Sequence, residues 1–195
     1  MKNSRSSPEI SPAFIAFLCA YCYSDPGGTF FPFLISAFLH EAGHLAVLRL
    51  CGVRVRKIRL EAAGAAIVTE PLPNRKELLS AAAGPAVNLV LFSLTLRRNP
   101  PFAVVNLCLL VFNLLPVYPL DGGRMLRACL SMAFSDRTVC LTEQIVTGLV
   151  FCILTGGSVY LTCVRHLGLW PVLVCAVLFL RVGWAAAEER RFFPV

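Results

Sequence analysis

Charge is what this chain has least of. Only 15% of its 195 residues are Asp, Glu, Lys or Arg, against roughly 25% in soluble globular proteins. The charges are also clustered, so long apolar segments lie between them. With 57% hydrophobic residues and a mean hydropathy of +0.71, this excludes an ordinary soluble domain and indicates an all-α polytopic membrane protein. Nucleic-acid motifs and aromatic stacking platforms are missing too, so the net charge of +7 does not point to a nucleic-acid partner. It fits basic loops that meet the anionic headgroups of a lipid bilayer. A small-residue cleavage site is absent after the apolar stretch at 10–23, which therefore reads as a retained helix and not as a signal peptide. Cysteine is plentiful, but paired cysteine motifs are not. Cys19-Ala-Tyr-Cys22 has no companion pair, and the nine cysteines read as small buried hydrophobes.

What is present is a series of apolar spans. Six are expected, at about 10–23, 29–50, 78–96, 101–119, 144–164 and 167–186, forming one membrane-embedded domain over 1–195 with its core at about 29–124. The first is short for a hydrocarbon layer of ~30 Å. Basic residues fall in alternate loops: thirteen lie in segments that would face the cytosol if the N-terminus does, from Lys2 and Arg5 through Arg54–Lys76 and Arg124–Arg137 to Arg190 and Arg191, and only Arg97, Arg98 and Arg165 lie opposite. Both termini are therefore expected in the cytosol, in a multi-pass integral membrane protein. His166 falls in an outer loop and reads as solvated. Between the second and third spans, Val53, Val55, Ile58 and Leu60 alternate with basic residues, and Ala65-Ala-Ile-Val-Thr69 follows a Gly64 turn. This predicts a short β-hairpin at the cytosolic rim, ended by Pro71, Pro73 and Asn74.

Inside the second span stands His40-Glu-Ala-Gly-His44. Two histidines four apart share one face of a helix, so both imidazoles can ligate one metal ion, and Glu41 can act as general base on a water there. A hydrolytic zinc site needs three protein ligands and an open position. Acidic residues almost never occur in the apolar spans, which leaves Asp121, in Asn113-Leu-Leu-Pro-Val-Tyr-Pro-Leu-Asp-Gly-Gly-Arg124, as the third. By itself Asp-Gly-Gly reads as a turn at a helix end. Beside a membrane-embedded His-Glu-x-x-His, the ligand reading prevails, with Glu61 and Glu70 as the fallback. Pro116 and Pro119 break the fourth span, and Gly122 and Gly123 allow backbone angles closed to other residues, which together would turn Asp121 back toward the histidines. His40 lies ten residues before Leu50, about 15 Å from the cytosolic end of its helix, so the site is expected to open inward. In Ala83-Gly-Pro-Ala-Val-Asn88, Gly84 and Ala86 would permit close packing, and Asn88 would make either an interhelical hydrogen bond or a substrate contact.

These three motifs, in this order within apolar spans, resemble the site-2 protease family of intramembrane zinc metalloproteases. The sporulation branch is the most similar, by its small size, six spans and short rim hairpin. The resemblance covers 38–124. It implies one Zn2+ per chain held by His40, His44 and Asp121, with Glu41 activating water for hydrolysis of a peptide bond in a membrane-associated protein. In the sporulation branch that substrate is a sigma-factor proprotein, and membrane inhibitor proteins would be further partners. Asn113, which opens the third motif, counts with Asn88 as substrate-binding or structural. Ile67 would lie where an extended substrate adds to the hairpin; the plain alternative is a hairpin that only anchors to headgroups. No CBS or PDZ domain is expected. Two other functions compete: a catalytically silent membrane regulatory or binding protein, and a metal or proton transporter. The intact Glu41 disfavours the first. The lack of an inverted repeat disfavours the second.

Overall fold

The computed structural model describes residues 9–23, 25, 27–61, 64–165, 172, 175–180 and 182–183. Contacts divide the chain into two compact units, Met1–Asn113 and Leu114–Val195.

The first unit holds β1 (Glu9–Ile10), α1 (Pro12–Tyr23), α2 (Phe30–Leu50), β2 (Val55–Glu61), β3 (Gly64–Thr69), α3 (Asn74–Thr95) and α4 (Pro100–Asn113). Helices α2, α3 and α4 pack on one another, and each turns a narrow stripe inward. On α2 the stripe is Ser36, His40, His44 and Leu48; on α3 it includes Ser80, Ala81, Gly84, Pro85 and Asn88; on α4 it is Ala103, Asn106 and Leu110. The three-to-four-residue spacing is that of one helix face. Its composition is inverted from that of a soluble core. Ser36, His40, His44, Ser80, Asn88 and Asn106 are buried, whereas Phe31, Phe38, Leu89 and Leu94 are half or more exposed. A surface of this kind suits hydrocarbon, not water.

Helix α2 has defined ends. The Asp25 carboxylate accepts the Phe30 N–H at 2.7 Å and the Thr29 hydroxyl at 2.8 Å, so it caps the first turn from outside. The Phe30 N–H foremost, then the Thr29 N–H and, more weakly, the Thr29 hydroxyl hold its carboxyl below the usual carboxylate range. At the other end Gly52 takes φ +70°, its N–H bonds Arg49 O, and the Val53 N–H bonds Leu48 O. This is a Schellman closure, which needs a left-handed residue where Gly52 stands. Lys76 Nζ donates to Cys51 O at 2.8 Å, tying the start of α3 to the end of α2.

The hairpin forms as expected, with β2 and β3 antiparallel and Ile58 opposite Ile67. One strand was not foreseen. Residues 9–10 add to β2 in parallel, which gives a three-stranded sheet of order β1-β2-β3. Among the described residues β3 therefore keeps one edge without a strand partner.

The second unit holds α5 (Asp121–Leu130) and α6 (Asp136–Cys163), in mutual contact. Arg127 ties them, its guanidinium meeting the Glu143 carboxylate through two bonds of 2.8 and 2.9 Å and lying 4.4 Å from the Tyr118 ring centroid.

Among the described residues three helices, α2, α3 and α6, are long and apolar enough to cross a membrane. At ~1.5 Å per residue the twelve-residue α1 reaches about 18 Å and the fourteen-residue α4 about 21 Å, short of a ~30 Å layer. The span expected at 101–119 ends at Asn113, because Leu115 precedes Pro116 and is driven out of helical angles. The span expected at 167–186 and His166 fall largely or wholly outside the described residues. A further correction concerns cysteine. Cys19, Cys22, Cys108, Cys129, Cys140, Cys152 and Cys163 are exposed and Cys51 and Cys175 half-buried, all as free thiols. In a protein whose surface meets hydrocarbon, a small apolar residue gains nothing from being inside.

Candidate metal centre

The two histidines face one another. Their Nε2 atoms are 3.1 Å apart and their rings meet edge to face, with centroids 4.7 Å apart. Both are buried, at 5% and 4% exposure. Two nitrogens held tetrahedrally at 2.0–2.1 Å from one ion lie about 3.3 Å apart, so the pair is close to the spacing a metal requires. Each ring is held from behind by α3. His44 Nδ1 lies 2.7 Å from Ser80 O; a carbonyl can only accept, so Nδ1 carries the hydrogen and Nε2 presents its lone pair. His40 Nδ1 lies 2.9 Å from the Asn88 side-chain amide nitrogen. Numbering runs in opposite senses along these contacts, His44 to Ser80 and His40 to Asn88, so α2 and α3 are antiparallel here.

Close approach makes this possible. A side chain on Gly84 would begin within 2.6 Å of His40 Nε2 and closer still to His44 Nε2. The bare Gly84 thus leaves open the space beside both lone pairs. Gly43 serves the same interface, where an added carbon would come 2.8 Å from Val87 and 3.1 Å from the Ala83 carbonyl. Of the residues expected to permit close packing, Gly84 does so, and Ala86 is exposed. Glu41 is half-buried, one residue round the helix from His40.

Asp121 is the first residue of α5, 6% exposed. Its negative charge at a helix N-terminus is favourable, and Arg124 Nη1 lies 3.3 Å from its Oδ1. Gly122 and Gly123 do not supply unusual angles, since the described glycines with positive φ are Gly28 and Gly52. They supply room. An added carbon at Gly122 would strike the Leu114 and Leu115 carbonyls, and one at Gly123 the Val117 and Tyr118 backbone. The loop at 114–120 can therefore fold flat against the start of α5.

His40 and His44 in the first unit and Asp121 in the second are each buried, and each offers a potential ligand atom. Two imidazoles and a carboxylate, all buried, are a donor set that suits a borderline divalent ion. Of the other expected residues, Glu70 pairs with Arg56 at 3.0 Å on an exposed surface, and Asn113 Nδ2 donates to Leu109 O within its own helix. Ile67 is half-buried in β3. Not foreseen were the Ser80 carbonyl and the direct bond of Asn88 to His40. The spacing of Ser80, Gly84 and Asn88 at four-residue intervals was the signal available for both.

Known proteins resemble this chain in parts of its sequence and in its fold. The model of peptidase family M50 matches residues 101–156, a segment that includes Asp121. A zinc metalloprotease of Methanocaldococcus jannaschii is 34% identical over 113 residues, 51% of this chain and 33% of that protein. Stage IV sporulation protein FB of Bacillus subtilis is 27% identical over 171 residues, 81% of this chain and 57% of that protein. The alignments thus span only a third to little over half of these relatives. Among solved structures, the site-2 protease of M. jannaschii superposes with TM-score 0.67 at 24% identity, covering 92% of this chain and 90% of that one. The chain has the site-2 protease fold.

Proposed function

We propose that this chain, with a site-2 protease fold and a segment of peptidase family M50, is an intramembrane zinc metalloendopeptidase. The observation that carries the proposal is the pair of buried histidines whose Nε2 atoms face one another inside an apolar bundle. His40, His44 and Asp121 would hold one Zn2+. Bound there, the ion would supply Lewis acidity, polarising the scissile carbonyl and acidifying a water. The residues of the chain do the rest. Glu41 takes the proton of the attacking water on its carboxylate and delivers it to the departing amide nitrogen. The Ser80 carbonyl orients His44, and the apolar bundle excludes bulk water.

A peptide bond in a transmembrane helix is shielded by its own hydrogen bonds, so the substrate must unwind near it. The freed groups then need partners, at several kcal/mol each if left unpaired in a dry site. The edge of β3 that has no strand partner among the described residues offers them by strand addition. The expected arrangement of six spans with both termini in the cytosol brings the site within reach of cytosolic water. The basic-residue asymmetry supports it. A sporulation role, with a sigma-factor proprotein as substrate, is supported by the likeness to stage IV sporulation protein FB over 81% of this chain.

The test is Glu41→Gln in the purified, zinc-loaded protein. Zinc stays and peptide-bond cleavage falls by at least ~10²-fold, the low end for loss of a general base. Near-normal cleavage by this variant would overturn the mechanism. A transporter, in contrast, would retain part of its flux.

A further inference from the structure

Asp121 stands on a segment with little local rigidity of its own. Helix α5 has ten residues and begins Asp-Gly-Gly. Isolated helices shorter than about 12–15 residues are marginal, and glycine is the poorest helix former after proline. The loop before it contains Pro116 and Pro119, which donate no backbone hydrogen bond. Its local bonds are tight turns, Val117 N–H to Leu115 O at 2.7 Å and Leu120 N–H to Val117 O at 2.9 Å. The place and direction of the Asp121 carboxylate must therefore be fixed by packing against something longer.

That packing converges on one side chain of the second unit. In the loop, Val117 and Leu120 are buried at 0% and 1% exposure, and Tyr118 between them is half-buried. The Arg127 guanidinium lies 4.4 Å from the Tyr118 ring centroid, well inside the ~6 Å over which a cation is drawn to an aromatic ring. The same group forks onto Glu143, Nε donating to Oε1 at 2.8 Å and Nη2 to Oε2 at 2.9 Å. Glu143 belongs to the 28-residue α6 and is 12% exposed. One planar cation thus joins the loop before Asp121, the helix that Asp121 opens and the long apolar helix beyond. A lysine, as a point charge, cannot fork onto a carboxylate and stack on a ring together.

We propose that Arg127 is a positioning residue for Asp121, and that through Glu143 it makes α6 part of the support of the metal site. This inference rests on the zinc site proposed above, with Asp121 as its third protein ligand. It extends that site to Glu143, outside the stretch 38–124 that carries the three motifs. The plain alternative is an ion pair that only fastens α5 to α6, at a helix C-terminus where a cation is favourable in any case.

The experiment measures zinc affinity by chelator competition in the purified, detergent-solubilised chain. Arg127→Leu alone would strand the largely buried Glu143 carboxylate, so both are exchanged together, Arg127→Leu with Glu143→Leu; replacing both members of a buried pair by apolar residues is often neutral for folding. The exchange is made in wild type and in Asp121→Ala. In wild type it is expected to weaken zinc binding about 10-fold, the low end for losing a group that orients a ligand. In Asp121→Ala it should change affinity by less than about twofold, because the ligand it acts through is gone. Unchanged affinity in the wild-type background would overturn the proposal. So would an equal loss in both backgrounds, which would mark the pair as a support of the fold alone. If the exchanged protein does not fold, Glu143→Gln decides: a loss of about threefold or more that vanishes with Asp121→Ala supports the proposal, a charge-assisted fork having been reduced to a neutral bond, and no loss refutes it. Asp121→Ala protein that binds zinc as tightly as wild type removes the third-ligand reading and this inference together. Weakened Asp121→Ala beside an unaffected exchange removes only the inference.

Discussion

The α2–α3 face and the segment 114–130 both carry buried metal-ligand candidates, and both depend on glycine, but for different reasons. On α2 the histidines are set by the helix itself, four residues apart on one stripe. Gly84 then makes room from another helix, and what it protects is the space beside two lone pairs. In the second region no helix repeat places Asp121. It opens a helix after a loop containing Pro116 and Pro119, and Gly122 and Gly123 make room for that same loop's backbone. The first region is local geometry kept clear from across an interface. The second is a chain packed onto itself.

Substitution at the glycines gives the largest expected effects and separates the two regions. Gly84→Ala places a carbon where the ion would sit, so zinc affinity should fall by more than about 100-fold, beyond what losing a partner behind a ligand causes, in a protein that still folds. Gly122→Ala meets backbone carbonyls that cannot swing aside. Its loss should appear first as stability, about 1–3 kcal/mol or more in line with overpacking of a close contact. Denaturant or thermal melts beside zinc titrations read both, and the same readout failing for both variants would erase the distinction.

Next is Asp121→Ala. It leaves two histidines in place, so zinc should be retained weakly and exchange faster, where His44→Ala should lose it nearly completely. Full, tight occupancy in purified Asp121→Ala protein would remove the aspartate from the ligand set.

A smaller effect is expected at the rim. Ile67→Pro removes one backbone donor from β3 and leaves α2 and α3 untouched. If substrate adds to this strand, cleavage slows while zinc affinity stays as in wild type. An unchanged cleavage rate would leave the hairpin with a headgroup-anchoring role only.

The smallest concerns the cap of α2. Because the carboxyl of Asp25 is held below its unfolded value, its contribution to stability is fully present above the ordinary carboxylate range, near pH ~3.9, and fades as pH falls through the folded-state value. Asp25→Ala should therefore melt below wild type at neutral pH, and the gap should close in acid. A gap independent of pH would mean that the carboxylate charge plays no part in the cap.

Much of this protein was written in the order of its residues. Apolar runs longer than a bilayer's thickness, a pair of histidines at helical spacing and an alternating basic hairpin each depend on contacts only a few residues long. Helix period and hydropathy determine them wherever the chain ends up, so α2, the hairpin and the facing imidazoles could be read directly. The span at 101–119 could not, because hydropathy continues past Asn113 while the prolines that stop the helix allow several continuations. The strand at 9–10 pairs with residues fifty positions away, which two residues cannot announce. The partners of the imidazoles were likewise beyond a linear reading: Asn88 was visible as a polar residue in an apolar span, but that its amide meets His40, and that the Ser80 carbonyl meets His44, follows from the register of α2 against α3. Gly122 and Gly123 carry the same lesson, since the sequence suggested unusual backbone angles and the fold uses their missing side chains. Local periodicity decided which groups carry the chemistry, and packing between helices decided which atoms hold those groups in place, because only at contact distance does a carbonyl, an amide or the absence of a methyl become part of the site.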